Sequence, residues 1–244
     1  MTAYFNENSA FPAAWLENLT AAGHIAKGEI DDRDIRQVTP DDLRGFDQCH
    51  FFAGIGVWSY ALRLAGVPDD ARVWTGSCPC QPWSGVSRGR AKGKADPRHL
   101  WPAWFKLIRE CRPPVVFGEQ VSGGDGLLWL DSVLSDLECE GYACRAFDLD
   151  AAGWGLPPRK RLFFVAYPDS EGQRMRPEHE QMARISKAAE LAQENRVDPG
   201  ALDDSGDGDS VRMARLRAYG NAIVPQVAAA FIRASLAEEG LNYG

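Results

Sequence analysis

Four side chains of this sequence sit where their neighbours suit them to chemistry: Cys80, Glu119, Arg159 and Arg161. Cys80 follows Pro79 in "GSCPCQPWSGVSRGR", at the end of a strand-like run and ahead of a glycine-rich basic stretch. Nearby positive charge and a helix start both lower a thiol pKa and favour the nucleophilic thiolate. Glu119 ends the apolar run "VVFGEQV". A carboxyl buried there costs free energy unless it is paired or used, and burial raises its pKa toward that of a proton donor. Arg159 and Arg161 open the apolar strand in "GLPPRKRLFFVA" and can face the same cleft. The turn "FAGIG" supplies Gly54 and Gly56 after a further apolar run, and glycines there let a nucleotide-like ligand approach the backbone. Ser59 stands where a dinucleotide fingerprint would carry its third glycine.

The elements that must position these residues alternate. "QCHFFAGIG" reads as a buried strand entering a turn, and "VWSYALRLAG" as a helix with Trp58, Ala61, Leu62 and Ala65 on one face and Gly66 at its end. "RVWTGSCP" is strand-like, "WPAWFKLIREC" is a helix with Pro102 near its start, and "PPVVFGEQV" is a strand. "DGLLWLDSVLSDLECEG" places Leu130, Val133, Leu134 and Leu137 on one helical face, and "YACRAFDLD" and "RLFFVAY" read as strands. The alternation predicts an α/β fold with a doubly wound, mostly parallel sheet. Ligands of such sheets sit at the carboxyl ends of the strands, where the glycine turn, Cys80 and Glu119 all fall. Residues 1–46 read as a polar helical leader, 47–167 as the core, 168–210 as a polar, glycine-rich insertion with a short helix in "EHEQMARISKAAELAQ", and 211–244 as a loop and amphipathic helix completing the core.

The 244 residues, 45% hydrophobic and 25% charged, are enough to bury a core without staples. No stretch reaches the ~18 apolar residues of a membrane helix, and the start lacks a secretion signal, so a cytoplasmic protein with no membrane partner is expected. The six irregularly spaced cysteines read as reduced thiols. Cys78 and Cys80 lack a partner Cys or His pair for zinc, and no metal is expected. The net charge of -7 argues against a nucleic-acid partner, yet Arg88, Arg90, Lys92, Lys94 and Arg98 concentrate positive charge within "SRGRAKGKADPRH".

In this order and at these spacings, "FAGIG", "PCQPWS", "GEQV", "RKRLFFVA" and "YGNAIVP" resemble the motifs of the cytosine-C5 DNA methyltransferases, over about residues 48–167 and 216–236. The resemblance implies a Rossmann-like methyltransferase fold and methyl transfer from S-adenosylmethionine to C5 of a cytosine flipped out of double-stranded DNA. Cys80 matches the nucleophile that adds to C6, Glu119 the acid at N3, and Arg161, with Arg159 in the retained Arg-x-Arg, the arginine that holds the base. Phe52, Gly54, Ile55 and Gly56 match the first cofactor motif, Asn221, Ala222 and Ile223 the last, and Pro79 and Leu100 further cofactor contacts. Gln81, Ser84, Ser87 and the five basic residues after Cys80 would meet DNA.

The chain also departs from the family. Gln120 replaces the usual Asn after the acid, and Pro158 replaces a Gln before the Arg-x-Arg. Where the family places two strands carrying an acid for the ribose and an Asp for the adenine, only "VPDDAR" stands between "LRLAG" and the cysteine strand. "DRDIRQV" resembles the adenine-contacting segment but precedes the first motif, so a partial permutation is expected, with Asp34 at the adenine and no ribose acid assigned. The insertion at 168–210 is short for a target-recognition region, so recognition is brief, relaxed or assisted by a protein partner. Such a compact enzyme fits a phage or other mobile element, in restriction-modification or its evasion. The competing readings are an RNA cytosine-C5 methyltransferase and a non-catalytic DNA-binding or partner subunit. A zinc deaminase needs His-x-Glu and Pro-Cys-x-x-Cys, which are absent, and a nicotinamide oxidoreductase leaves most motifs unexplained.

Overall fold

Short apolar runs set the strands of this protein, and apolar faces of helical period cover them. A computed structural model describes residues 2–79, 99–169, 182–187 and 222–237. In chain order they form β1 (Thr2–Asn6), α1 (Ala10–Ala21), β2 (Gly28–Asp31), β3 (Phe46–Phe51), α2 (Val57–Leu64), β4 (Val73–Gly76), α3 (Trp101–Cys111), β5 (Val116–Val121), α4 (Gly124–Cys139), β6 (Tyr142–Asp150), β7 (Lys160–Pro168) and α5 (Pro225–Leu236). Residues 182–187, within the stretch read as a short helix, are helical.

One seven-stranded sheet carries the fold, in the order β2-β1-β3-β4-β5-β7-β6. The five strands from β2 to β5 run parallel, and β7 runs antiparallel to both β5 and β6. Because successive side chains face opposite sides of a sheet, strand parity sorts the core into two layers. Phe117 of β5 and Phe163 and Val165 of β7 face a layer built with α2 and α5. Val116, Leu162 and Phe164 face the other, built with Trp101, Trp104, Leu107 and Ile108 of α3 and Trp129, Val133 and Leu137 of α4. Helices on both faces of a mostly parallel sheet are the doubly wound architecture that the sequence predicts.

The N-terminal segment corrects the reading of residues 1–46 as a helical leader. α1 is present, but β1 and β2 flank it and form the sheet edge beside β3. β1 escapes a pattern reading because it is short and buried on both faces: Ala3 and Phe5 pack under α1, while Tyr4 packs into the α3 layer. A parallel strand covered on both sides shows no polar alternation.

Within the sheet, β3 and β4 are fastened by a polar chain. The His50 Nε2 lies 3.2 Å from Gln48 Oε1, and its Nδ1 lies 2.8 Å from Thr75 Oγ1. Gln48 spends its amide N–H on the Pro68 carbonyl, so its oxygen faces the imidazole and takes the Nε2 proton. Nδ1 then accepts from the Thr75 hydroxyl, and the neutral ring is satisfied at both nitrogens. Phe5 of β1 stacks on the ring at 4.8 Å. Full burial, only partly offset by Asp69, pushes the His50 pKa down to about 3.

This burial predicts a pH dependence. Between about pH 6.5 and 3 the unfolded chain takes up a proton that folded His50 refuses, so this contribution is complete above pH 6.5 and is lost as pH falls. Glu119, whose pKa is raised by burial, acts in the opposite sense over the acid range. The comparison of wild type with His50→Gln isolates the histidine. Denaturant unfolding between pH 4.5 and 6 should show a difference in slope approaching ~1.4 kcal/mol per pH unit. Equal slopes in the two proteins would overturn this account.

Candidate active site

The carboxyl ends of parallel strands and the start of an antiparallel one meet at the same sheet edge, which is where the candidate residues gather. A cleft of about 690 Å³ opens there. Its walls include Asp34, Phe52, Gly54, Ile55, Pro79, Leu100, Glu119, Arg161, Ala222 and Ile223 among the residues singled out from sequence. Cys80, Gln81, Ser84, Ser87, Arg88, Arg90, Lys92, Lys94, Arg98 and Asn221 lie outside the described residues.

Three strands build one half of the cleft. After β3 the chain turns through Phe52 and Gly54, both with positive φ (50° and 54°), the first an unusual conformation for a residue with a side chain. A Cβ on Gly54 would meet nothing within 4 Å, so its backbone faces open space that a ligand can enter. The Gly54 N–H donates to Glu7 Oε2 at 2.9 Å, and Ser9 N–H donates to Glu7 Oε1 at 2.9 Å. Glu7 stands just past β1, 9% exposed on the cleft wall, and each of its oxygens keeps a lone pair for another donor.

Asp34 lies past β2, where Asn6 holds the loop by donating to the Asp31 and Arg33 carbonyls at 3.2 and 2.9 Å. Arg33 pairs with Asp31 at 2.6 Å and Asp42 at 3.1 Å, bracing the same loop. Both Asp34 oxygens meet the Arg36 guanidinium, which holds the carboxyl below the usual range. Ile35, beside it, is buried against the α3 layer and also faces the cleft.

The other half is a buried acid and its partners. Glu119 is 5% exposed and forms an ion pair with Arg161, Nε to Oε1 2.7 Å. The register explains the meeting: Glu119 lies opposite Phe163 and Val121 opposite Arg161, so acid and arginine share a face on a cross-strand diagonal. Burial raises the Glu119 pKa, opposed by the Arg161 charge, a hydrogen bond from Ser77 and the Arg159 charge. Ser77 also accepts from the Trp58 indole at 3.0 Å. The longer Gln120 still braces the cysteine segment, since its amide donates to the Cys78 carbonyl at 3.0 Å.

Two further candidates are not among the residues of the cleft wall. Gly56 caps α2 with φ 77° and is not on the cleft wall; a Cβ there would lie 3.0 Å from Leu16 and 3.1 Å from Ile25, so it serves packing under α1. Arg159 is also off the wall. Its guanidinium donates to the Ala222 carbonyl at 2.7 Å, which ties the segment before α5 to the start of β7. Glu7 and Ser77 were missed by the sequence reading, and Trp58 was read only as part of a helix face. The signal for Glu7, an acid two residues past the apolar run "AYF", is of the kind that singled out Glu119.

Comparison with known proteins gives these features a context. A family model for C-5 cytosine-specific DNA methylases matches residues 61–205, more than half of the chain. The type II methyltransferase M.AgeI of Thalassovita gelatinovora is 31% identical over 120 residues, 47% of this chain and 27% of that protein. The type II methyltransferase M.AplI of Arthrospira platensis is 33% identical over 107 residues, 43% of this chain and 30% of that protein. The matched part thus spans less than a third of either relative. The crystal structure of Schizosaccharomyces pombe ("S. pombe") Dnmt2 methyltransferase shares the fold, with TM-score 0.52 and 12% identity over 99% of this chain and all of that one. With a mostly parallel, doubly wound sheet and a family match over most of its core, the chain belongs to the C-5 cytosine-specific DNA methylase family.

Proposed function

We propose that this chain is an S-adenosylmethionine-dependent DNA (cytosine-5-)-methyltransferase that works through a covalent Cys80 adduct. The observation that carries the reading is that Pro79, the residue before Cys80, lines the same cleft as the buried Glu119–Arg161 pair and the open Gly54 turn. The residues fit the cofactor: a nucleoside needs close backbone approach, acceptors for its hydroxyls and an edge for its base, for which Gly54, Glu7 and Asp34 are suited. We assign Glu7 to the ribose and Asp34 to the adenine amino group, with Phe52, Ile55, Leu100, Ala222 and Ile223 around them. When bound, S-adenosylmethionine supplies an electrophilic methyl group.

The chain's own residues then have distinct tasks. The Cys80 thiolate adds to C6 of a flipped cytosine, which makes C5 nucleophilic. Glu119, its pKa raised by burial, delivers a proton to N3 as that charge develops, and Arg161 holds both Glu119 and the base. After C5 is methylated, a solvent base takes the C5 proton as the C6–S bond breaks and the Cys80 thiolate leaves, and N3 returns its proton to Glu119. The basic residues 88–98 supply the local charge that phosphates require in a chain of net charge -7. Target choice then rests on the short insertion, with or without a partner chain. The reading fits a soluble enzyme of the cytoplasm; among the described residues no helix is long and apolar enough to cross a membrane.

Methyl transfer from labelled S-adenosylmethionine to mixed-sequence duplex DNA tests the reading. Wild type should place label at cytosine C5, Cys80→Ala should place none, and Glu119→Gln should be slower by roughly 10²- to 10⁴-fold with cofactor binding kept. Label on RNA and none on DNA would replace the substrate; no label on either would overturn the activity.

Cofactor affinity tests the other half of the cleft. Glu7→Gln and Asp34→Ala should each weaken S-adenosylmethionine by roughly tenfold in calorimetric titration, the loss of one hydrogen bond to a charged group. Unchanged affinity in either variant would remove that residue from the cofactor site.

A further inference from the structure

Ser77 and Trp58 belong to none of the five family motifs, yet they line the same cleft as the buried acid. Ser77 immediately follows β4 and faces the cleft, and its hydroxyl accepts the Trp58 indole N–H at 3.0 Å. An indole N–H can only donate, so this bond fixes the orientation of the hydroxyl and leaves its single proton for another acceptor. β4 and β5 run parallel with Gly76 opposite Gly118, so the next residues, Ser77 and Glu119, lie side by side on the cleft wall and the carboxylate is the acceptor within reach. The indole cannot swing away: Trp58 is 3% exposed, stacked on Phe117 at 6.2 Å and edge-on to Phe163 at 6.1 Å. Phe117 lies two residues before Glu119 on β5, and Phe163 is its cross-strand partner on β7. The strands that hold the acid therefore also hold the donor that aims Ser77 at it.

We infer that Ser77, aimed by the Trp58 indole, is a positioning residue that orients the Glu119 carboxyl and sets how readily it takes up a proton. The inference rests on the proposed role of Glu119 in methyl transfer, but its geometry does not. A hydroxyl that donates to a carboxylate stabilises the ionised form. The charged groups facing Glu119 among the described residues, Arg161 and Arg159, act in the same direction, and burial acts against all three. Without Ser77, burial is opposed by the arginines alone, and Glu119 holds its proton to higher pH. With Ser77 in place the proton is released more readily, which suits a group that must pass it to a ring nitrogen and recover it.

Difference infrared spectroscopy of the ligand-free protein, with Glu119→Gln identifying the carboxyl band, measures the titration directly. Ser77→Ala should raise the Glu119 midpoint by about one pH unit, as expected for one lost hydrogen bond to the charged form. Ser77→Thr, which keeps the hydroxyl, should restore it. Trp58→Phe, which keeps a ring but removes the N–H, should shift it in the same direction by less, and it serves as the second test if Ser77→Ala does not fold. The falling alkaline limb of kcat/KM for methyl transfer should move with the midpoint in each variant. A midpoint unmoved in Ser77→Ala, or in Trp58→Phe where the first variant does not fold, overturns the inference even in an active enzyme. A midpoint that moves in a protein that methylates neither DNA nor RNA supports the positioning role and overturns the proposed function instead.

Discussion

A carboxyl group held out of water must be compensated, and the compensation of Glu119 organises the site. Removing a charge from water is far more costly than any single contact returns, so a buried acid persists only with partners fixed in place. Arg161 supplies the countercharge at 2.7 Å, and it can do so because β7 runs antiparallel to β5. That pairing brings the first residues of one strand beside the last residues of the other. Ser77 adds a donor from the end of β4 and Gln120 ties Cys78 to β5, so three strand ends are fastened around one acid. A pair buried this tightly is weak grounds for a stability argument, since apolar replacements often do as well. Its value lies in geometry and in a proton affinity raised above that of a solvated glutamate.

The opposite half of the cleft depends on a different constraint, that a sheet edge must be completed by whatever strands are at hand. β1 and β2 come from the start of the chain, and α1 crosses over them in the way a helix joins parallel strands. Their ends deliver Glu7 and Asp34 beside the Gly54 turn. A ligand site at strand ends depends on which strands are neighbours and not on the order in which the chain visits them. The His50 chain from Gln48 to Thr75, with Phe5 stacked on the imidazole, joins β1, β3 and β4 beneath both halves.

Much of this arrangement was legible before any coordinates. Elements written as a long apolar run bounded by polar residues, such as β7, or as an apolar face of period 3.6, such as α4, declare themselves because the signal spans many consecutive residues. So did the turn at Gly54, the acid at Glu119 and the arginine at Arg161, each of which sits at one end of an apolar run. Local signals of this kind are written in consecutive residues, and the ordered motifs carried the family with them.

What the sequence could not decide is what depends on distant residues becoming neighbours. β1 is five residues long and buried on both faces, so nothing in "TAYFN" distinguishes it from the start of a helix until β3 lies beside it. Glu7 gains its place only when its carboxylate meets the Gly54 N–H, 47 residues away. Gly56, read as a second ligand glycine, packs against Leu16 and Ile25, and Arg159, read as a cleft arginine, holds the Ala222 carbonyl of the cleft wall. Residue types and spacing determined which chemistry this chain can attempt; the order of its strands decided which side chains stand close enough to perform it, because hydrogen bonds and ion pairs act over a few ångströms and sequence separation does not measure that distance.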